Sequence, residues 1–340
     1  MTDLRSLDID ELKEITVGLG AQKFRAKQIY DKLHRHAARD YDELNNLPKQ
    51  LLSKLKEQYY ISRCEIEKKL CSKIDGTVKY LYRLTDGEYI ESVVMQYKHG
   101  WSICVSTQAG CAMGCRFCAS TKNGRRRNLT AGEILDQIYE AERDLSIRIS
   151  NIVLMGMGEP LDNFENVLKF LKMVSDENGI NIGMRHISLS TCGLVDKIYK
   201  LADLNLQLTL SISLHAPTDE IRSSMMPIND RWNIDELLKA CRHYIEKTGR
   251  RISFEYSVVA GVNDSDECAL KLCDRLKGML CHVNLIPINT IKESGFQRPD
   301  MKKIKHFESV LQSHGINTTI RRTLGADIAA SCGQLRGEMI

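Results

Sequence analysis

The segment Cys111-Ala-Met-Gly-Cys115-Arg-Phe-Cys118 stands in the first of a series of strand–loop–helix units, after a predicted strand at Ser102–Ser106. Iron–sulfur clusters take cysteine thiolates as ligands, so three thiols this close in the chain can hold one cluster. No fourth cysteine follows nearby, and one iron atom would therefore remain open to another group. Two other interpretations stay open, namely a zinc site completed by Cys104 or three core cysteines at helical spacing.

The same unit repeats along the rest of the chain. The six candidate strands are Ser102–Ser106, Asn151–Met155, His186–Ser190, Gln207–Leu214, Ile252–Val259 and His282–Ile288. Amphipathic stretches separate them, the first opening with Thr130 and Glu133 in capping-box spacing. This alternation indicates an α/β fold, and we expect a partial, TIM-like (βα)6 barrel with its chemistry at the carboxyl ends of the strands. Periodicity alone does not distinguish a barrel from an open sheet.

The first part of the chain has a different pattern. Residues 1 to about 62 carry apolar residues at helical spacing, and alternating β-formers then flank a Thr85-Asp86-Gly87 turn. We therefore expect a small all-helical accessory domain over residues 1–75. The core would span residues 76–340, beginning with a β-hairpin and ending in a tail that carries Cys332.

Composition narrows the class of protein. Lys and Arg number 48 against 44 Asp and Glu, so the net charge is 48 − 44 = +4, which permits a nucleic-acid partner only if the charge is clustered. The N-terminus lacks the apolar region of a secretory signal, and no stretch is apolar enough to span a bilayer. We expect a cytoplasmic protein without a membrane partner, in which clustered cysteines serve metal binding or catalysis.

The segment Gly156-Met-Gly-Glu-Pro160 closes the second candidate strand. A carboxylate and free carbonyls at a strand end suit an ammonium group, and Leu161 occupies the position where a dinucleotide fingerprint needs its third glycine. Together with the three cysteines, this segment resembles the radical S-adenosylmethionine superfamily. In that superfamily the open iron binds the amino acid end of the cofactor, and the Gly-Glu-Pro segment contacts its amine.

Seven segments in order extend the resemblance to the RlmN/Cfr family of RNA adenine methyltransferases, over nearly the whole chain. They are Cys104–Cys111, Gly156–Leu161, Leu189–Gly193, Ser213–Ala216, Met226–Asn229, Val283–Pro287 and Cys332–Leu335. The resemblance implies methylation of adenine C2 in 23S rRNA, at the peptidyl transferase centre, and in tRNA at the adenine 3′ of the anticodon. C8 methylation of the Cfr type is the alternative, although Tyr97–Gly100 and Met113–Cys118 resemble the C2 enzymes. The tail departs from the family pattern at residues 329–331, where Ala-Ala-Ser replaces Asp-Ala-Ala.

The resemblance also implies cofactors and residue roles. A 4Fe–4S cluster would be held by Cys111, Cys115 and Cys118, and two molecules of S-adenosylmethionine would be used per turnover. Cys332 would be the methylated residue, Glu91 the acceptor of the C2 proton, and Cys104 the thiol that resolves the RNA adduct by forming a disulfide with Cys332. Cofactor contacts carry over to Gly158, Glu159, Ser190, Ser213, Leu214, His215 and Asn289.

The implied partners are RNA, an external flavodoxin-like electron donor and a thiol reductant. The protein itself is expected to be a monomer. Basic residues near the expected site could contact phosphates, namely Lys122, Arg125, Arg126, Arg127, Arg250, Arg251, Lys302, Lys303, Lys305, Arg321 and Arg322. The N-terminal domain is a second candidate for RNA contact. The alternative function from a different class is a noncatalytic RNA-binding protein with a metal cluster.

Overall fold

The computed structural model describes residues 1–289 and 295–337. Its N-terminal part consists of three helices and one short parallel strand pair. These elements are β1 (Thr2–Asp3), α1 (Ile9–Gly18), α2 (Phe24–His34), α3 (Lys49–Gln58) and β2 (Tyr59–Tyr60), with β1 paired to β2. Helix α1 begins with a capping box, in which the Asp8 side chain accepts backbone N–H groups and Glu11 reaches back.

An antiparallel segment follows. Its strands are β3 (Glu65–Cys71), β4 (Val78–Arg83), β5 (Tyr89–Tyr97) and β6 (Gly100–Cys104). The structure differs here from the expected all-helical domain over residues 1–75, because β3 pairs with β4 and belongs to the main sheet. Helical periodicity ends at Gln58, and the charged residues of β3 hid its strand character in the sequence.

The remaining elements alternate between strand and helix. They are β7 (Gln108–Gly110), β8 (Arg125–Asn128), α4 (Ala131–Leu145), β9 (Ile149–Leu154), α5 (Phe164–Val174), β10 (Ile187–Thr191), α6 (Val195–Asp203), β11 (Thr209–Ser213), α7 (Asp219–Met225), α8 (Ile234–Thr248), β12 (Ile252–Val258), α9 (Asp266–Leu276), β13 (Cys281–Pro287), α10 (Met301–Ser313) and β14 (Thr318–Ile320). The predicted capping box of Thr130 and Glu133 opens α4.

One ten-stranded sheet organises the molecule, in the order β14-β13-β12-β11-β10-β9-β6-β5-β4-β3. The strands from β6 through β9 to β14 run parallel, and β5, β4 and β3 extend the sheet antiparallel beyond β6. The α/β fold and all six predicted parallel strands are confirmed, and β14 adds a seventh. The sheet ends at β14 and β3, so its strand order is open, as expected for a partial rather than a closed barrel.

The N-terminal part packs against α4 through buried polar contacts. The guanidinium of Arg5 pairs with the carboxylate of Asp136, and both side chains are fully buried. A hydrogen bond of 3.0 Å joins Nδ1 of His34 to the hydroxyl of Tyr139. These contacts attach the first helices to the first helix of the α/β core.

No helix within residues 1–289 and 295–337 has the length and apolar character needed to cross a membrane.

Candidate active site

A central cavity lies where the loops after the parallel strands meet the cysteine segment. This is the edge at which α/β folds with parallel strands place their chemistry. Ten of the predicted site residues line it, namely Cys111, Cys115, Cys118, Gly158, Glu159, Ser190, Ser213, His215, Asn289 and Cys332. The structure therefore brings residues from six separate parts of the sequence to one place.

The cysteine segment is fixed by backbone hydrogen bonds. It lies between the paired strands β7 and β8, and the Arg116 N–H donates to the Met225 carbonyl at 3.0 Å. Burial, with a smaller contribution from the nearby thiol of Cys118, raises the pKa of Cys111 to about 12. Within the described residues, no three Cys, His, Asp or Glu side chains stand close enough to hold a single metal ion.

The donor set nevertheless fits an iron–sulfur cluster. All three thiols belong to one loop and open on one cavity, and thiolate sulfur is the ligand that such clusters take. Burial alone keeps these thiols protonated, whereas a bound metal deprotonates a coordinating thiol. Cys111, Cys115 and Cys118 are thus suited to hold the cluster, whose iron would supply the positive charge that stabilises the three thiolates.

The glycines of the segment after β9 allow two loops to approach closely. A Cβ atom on Gly158, which has a φ of +101°, would lie 2.6 Å from Cβ of Gln108. A Cβ atom on Gly156 would lie 2.6 Å from the Val105 carbonyl oxygen. Neither position accommodates a side chain, so the segment rests directly against the chain that leaves β6.

Glu159 is a buried carboxylate that joins two strand-end loops. Its oxygens accept the N–H of Leu161 at 3.0 Å and the N–H of Cys192 at 2.8 Å. Burial raises the pKa of Glu159, while these hydrogen bonds oppose the shift. The carboxylate lines the cavity and is placed to accept a hydrogen bond from an ammonium group.

His215 is held as a neutral ring in the cavity wall. Its Nδ1 accepts the Ser257 N–H at 2.9 Å, and burial lowers its pKa to about 3. The neutral ring therefore carries its proton on Nε2 and offers one donor. The ring of Phe117 packs edge-on at 4.9 Å between centroids. Leu214 lies next to His215 but does not line the cavity, and its N–H donates to the Glu255 carbonyl at 3.1 Å.

A second cavity adjoins the central one, and Cys332 lines both. Cys104 lines only this second cavity, together with Tyr97 of β5. Burial, with a smaller contribution from the neighbouring thiol of Cys332, raises the pKa of Cys104 to about 12. The two cysteines predicted to act as a pair are thus brought to one cavity, and each of the twelve cysteines, all in the described part of the chain, is a free thiol.

Arg321 has a place that the sequence did not reveal. Its side chain lines both cavities and lies 4.0 Å from the buried carboxylate of Glu255. The nearby Cys332 thiol raises the pKa of Arg321. The sequence suggests only a phosphate contact for Arg321, because the long-range pairing of β14 with β13 is what brings it to the two cavities.

Glu91 lines neither of these cavities. Its carboxylate is buried, lies 3.0 Å from Nζ of Lys79, and accepts the N–H of Arg336 at 2.8 Å. Burial raises the pKa of Glu91, and the Lys79 cation opposes that shift. Glu91 is thus on the same strand as Val93, which does line the second cavity, but it is engaged by the C-terminal tail.

An α/β sheet with a three-cysteine loop and a Gly-Glu segment at one cavity defines a radical S-adenosylmethionine enzyme. The Radical SAM superfamily profile matches residues 105–273. A second profile, the ribosomal RNA large subunit methyltransferase N-terminal domain, matches residues 2–61. The cofactors of this class are a 4Fe–4S cluster and S-adenosylmethionine.

Full-length relatives narrow the class. The chain is 54% identical over 340 residues to a "Probable dual-specificity RNA methyltransferase RlmN" of Clostridium novyi, covering 100% of this chain and 99% of the relative. A protein of the same description from Alkaliphilus oremlandii is 55% identical, over 98% and 97% of the two chains. A crystal structure of a radical SAM methyltransferase from Sphaerobacter thermophilus superposes with a TM-score of 0.94 at 43% identity, over 99% and 100%. The chain belongs to the RlmN family of RNA methyltransferases.

Proposed function

We propose that this protein methylates C2 of adenine in 23S rRNA, at the peptidyl transferase centre, and in tRNA at the adenine 3′ of the anticodon. The observation that carries the proposal is the position of Cys332, which lines both the central cavity and the cavity of Cys104. An aromatic carbon such as C2 has no lone pair to attack a sulfonium methyl group. The bound cluster and S-adenosylmethionine supply the methyl groups and the radical chemistry that such a carbon requires.

The central cavity provides the contacts for these cofactors. Cys111, Cys115 and Cys118 hold the cluster, and the Glu159 carboxylate accepts from the ammonium group of S-adenosylmethionine. The other contacts in this assignment that line the cavity are Gly158, Ser190, Ser213, His215 and Asn289. Leu214 is also assigned as a contact, although it lies beside the cavity without lining it. Neutral His215 offers its Nε2 proton without adding a positive charge beside the cationic cofactor.

Cys332 and Cys104 have different roles in the proposed reaction. Cys332 carries the methyl group and becomes joined to the RNA through that carbon. The Cys104 thiolate then attacks Sγ of Cys332, forms the disulfide, and breaks the bond from sulfur to the methylene carbon, which keeps the electron pair and takes a proton. An external thiol reductant reopens the disulfide. Glu91 accepts the C2 proton in this scheme, once its carboxylate is free of its present partners.

The RNA would approach over the exposed basic residues beside the cysteine segment. Arg125 pairs with Asp162, and Arg127 pairs with Glu133 at 2.8 Å, so both are occupied within the protein. Lys122 and Arg126 are exposed and are the better candidates for phosphate contact.

We assign the remaining partners by the same family scheme. They are a flavodoxin-like electron donor and a thiol reductant. The protein acts as a monomer in the cytoplasm, where ribosomes and tRNA are found. The N-terminal part over residues 1–75 would form a second contact with RNA.

Digestion of reacted RNA to nucleosides tests the proposal directly. The reconstituted chain, given reductant and S-adenosylmethionine, should produce 2-methyladenosine and 5′-deoxyadenosine, and the Cys332→Ala variant should produce no methylated adenosine. 8-Methyladenosine as the sole product would instead identify a C8 enzyme. A chain that yields neither methylated adenosine nor 5′-deoxyadenosine would be a noncatalytic RNA-binding protein.

A further inference from the structure

The loop that carries Cys332 is held by the hairpin between β3 and β4. The Gly325 N–H donates to the Asp75 carboxylate at 2.9 Å, and the Lys73 N–H donates to the Asp327 carboxylate at 2.9 Å. These two contacts join the beginning of the loop to the hairpin turn. The loop is therefore attached to a part of the sheet that lies outside both matched family profiles.

A buried ion pair beneath the loop contacts its backbone on both sides of the cysteine. The side chains of Lys79 and Glu91 are only 5% and 2% exposed, and Nζ lies 3.0 Å from Oε1. Lys79 also donates to the Ala329 carbonyl at 3.2 Å, and Glu91 accepts the Arg336 N–H at 2.8 Å. The pair thus holds the loop backbone three residues before Cys332 and four residues after it.

Stability alone does not explain such a pair. Replacing a buried ion pair by apolar side chains of similar volume is often neutral or stabilising, because both charges must be taken out of water. Here each charged group uses its remaining hydrogen-bonding capacity on the loop. An apolar pair would fill the same space but would hold neither Ala329 nor Arg336.

We propose that Lys79 and Glu91 form a clamp that positions the loop carrying Cys332, with Lys79 as a positioning residue for methylation of that cysteine. The significance of the clamp for methylation rests on the proposed function, whereas its effect on the loop does not. Because Glu91 is also the proposed proton acceptor and lines neither cavity in this arrangement, the clamp has to open before the carboxylate can reach the adenine. Opening of the loop and availability of the base are therefore coupled.

Hydrogen exchange of the full-length chain, followed by mass spectrometry, tests the clamp without any cofactor. We expect Lys79→Met to accelerate amide exchange in residues 325–337 by about tenfold, because the loop loses an anchor and the remaining carboxylate is left unpaired. Lys79→Arg should restore most of the protection, since it keeps the charge and a donor. Lys73→Met is the matched control, because Lys73 is exposed on the same hairpin and its contact with the loop is made by its backbone N–H.

A paired variant separates the clamp from general unfolding. Lys79→Met combined with Glu91→Leu removes both charges, so it leaves no unpaired buried charge, and the rest of the chain should keep wild-type exchange. Faster exchange confined to residues 325–337 in this variant supports the clamp. Wild-type protection of the loop in both Lys79→Met and the paired variant would overturn it.

Mass spectrometry of Cys332 in the reconstituted chain tests the role in methylation. We expect Lys79→Met to slow S-methylation of Cys332 by about tenfold with little change in the KM for S-adenosylmethionine, because a displaced thiol is the defect. An unchanged rate would refute the positioning role. If the wild-type chain never carries S-methylcysteine, the proposed function fails, and the exchange experiment still decides whether the clamp exists.

Discussion

The thiols of Cys332 and Cys104 lie in different environments in this protein. Cys332 lines both cavities, whereas Cys104 lines only the second cavity and is buried there. A thiol in contact with both cavities is placed to take a group from one and deliver it to the other. A thiol that lines only the second cavity is placed to react after that group has been transferred there.

Substitution of each thiol should therefore block a different step. We expect Cys104→Ala to accumulate a covalent protein–RNA adduct, which denaturing gel electrophoresis detects, because nothing releases Cys332 from the RNA. Cys332→Ala should form no adduct. Cys241→Ala is a suitable control, since Cys241 is buried in α8 and lines neither cavity. An adduct in the Cys332→Ala variant would show that the two roles have been assigned wrongly.

Some site residues could be predicted from the sequence, and others could not. The three cysteines stand within one short segment, and Gly158 and Glu159 share another, so their spacing along the chain is itself a signal. Lys79 and Arg321 give no such signal, because their partners lie far away in sequence. The contact from Lys79 to Ala329 spans 250 residues, and single basic residues usually indicate only a solvated surface.

At the scale of elements, the close approach of the loops after β6 and β9 depends on Gly158. A Cβ atom there would clash with Gln108, and the new residue would also have to adopt a positive φ. We expect Gly158→Ala to lower the free energy of unfolding by about 2 kcal/mol and to weaken binding of S-adenosylmethionine, because the loop has to move. Thermal unfolding and equilibrium binding measure the two effects.

The control separates the steric clash from the backbone conformation. Gly261 also has a positive φ, of +70°, but a Cβ atom there meets nothing within 4 Å. Gly261→Ala should cost about 1 kcal/mol of stability and leave cofactor binding unchanged. Equal effects of the two substitutions on binding would contradict the close-packing argument.

The packing of α2 against α4 predicts a dependence of stability on pH. Burial lowers the pKa of His34 from 6.5 to about 3, so the folded protein keeps the ring neutral. The unfolded chain takes up this proton near pH 6.5, and the stabilising contribution is complete above that pH and is lost as the pH falls towards 3. Each buried neutral histidine should remove about 1.4 kcal/mol of stability per pH unit in this range.

Urea unfolding between pH 7 and pH 4.5 measures this slope. We expect His34→Gln to reduce the slope without abolishing it, because His215 is buried neutral as well. An unaltered slope in the His34→Gln variant would contradict a neutral His34 in the folded protein.

Elements were predictable where their pattern is local. The six parallel strands are apolar runs between amphipathic helices, and all six are found. Strand β3 was missed because its exposed residues are charged, and β14 was missed because three residues are too few to show a period. Both lie at the edges of the sheet, where only one neighbouring strand constrains the sequence.

At the scale of the whole molecule, the carboxyl edge of the sheet, the cysteine segment and the C-terminal tail meet at one place. The α/β core supplies the cofactor cavity, and the antiparallel strands β4 and β5 hold the tail that carries Cys332. We propose that a methyl group passes through Cys332 on its way to adenine.

Mass spectrometry of the Cys332 peptide tests that claim most directly. The reconstituted chain is treated with S-adenosylmethionine labelled in its methyl group, and the peptide is analysed before RNA is added. We predict a labelled S-methyl group on Cys332 that disappears when RNA and reductant are supplied and is recovered in 2-methyladenosine. Unmodified Cys332 in a chain that still methylates adenine would contradict this account.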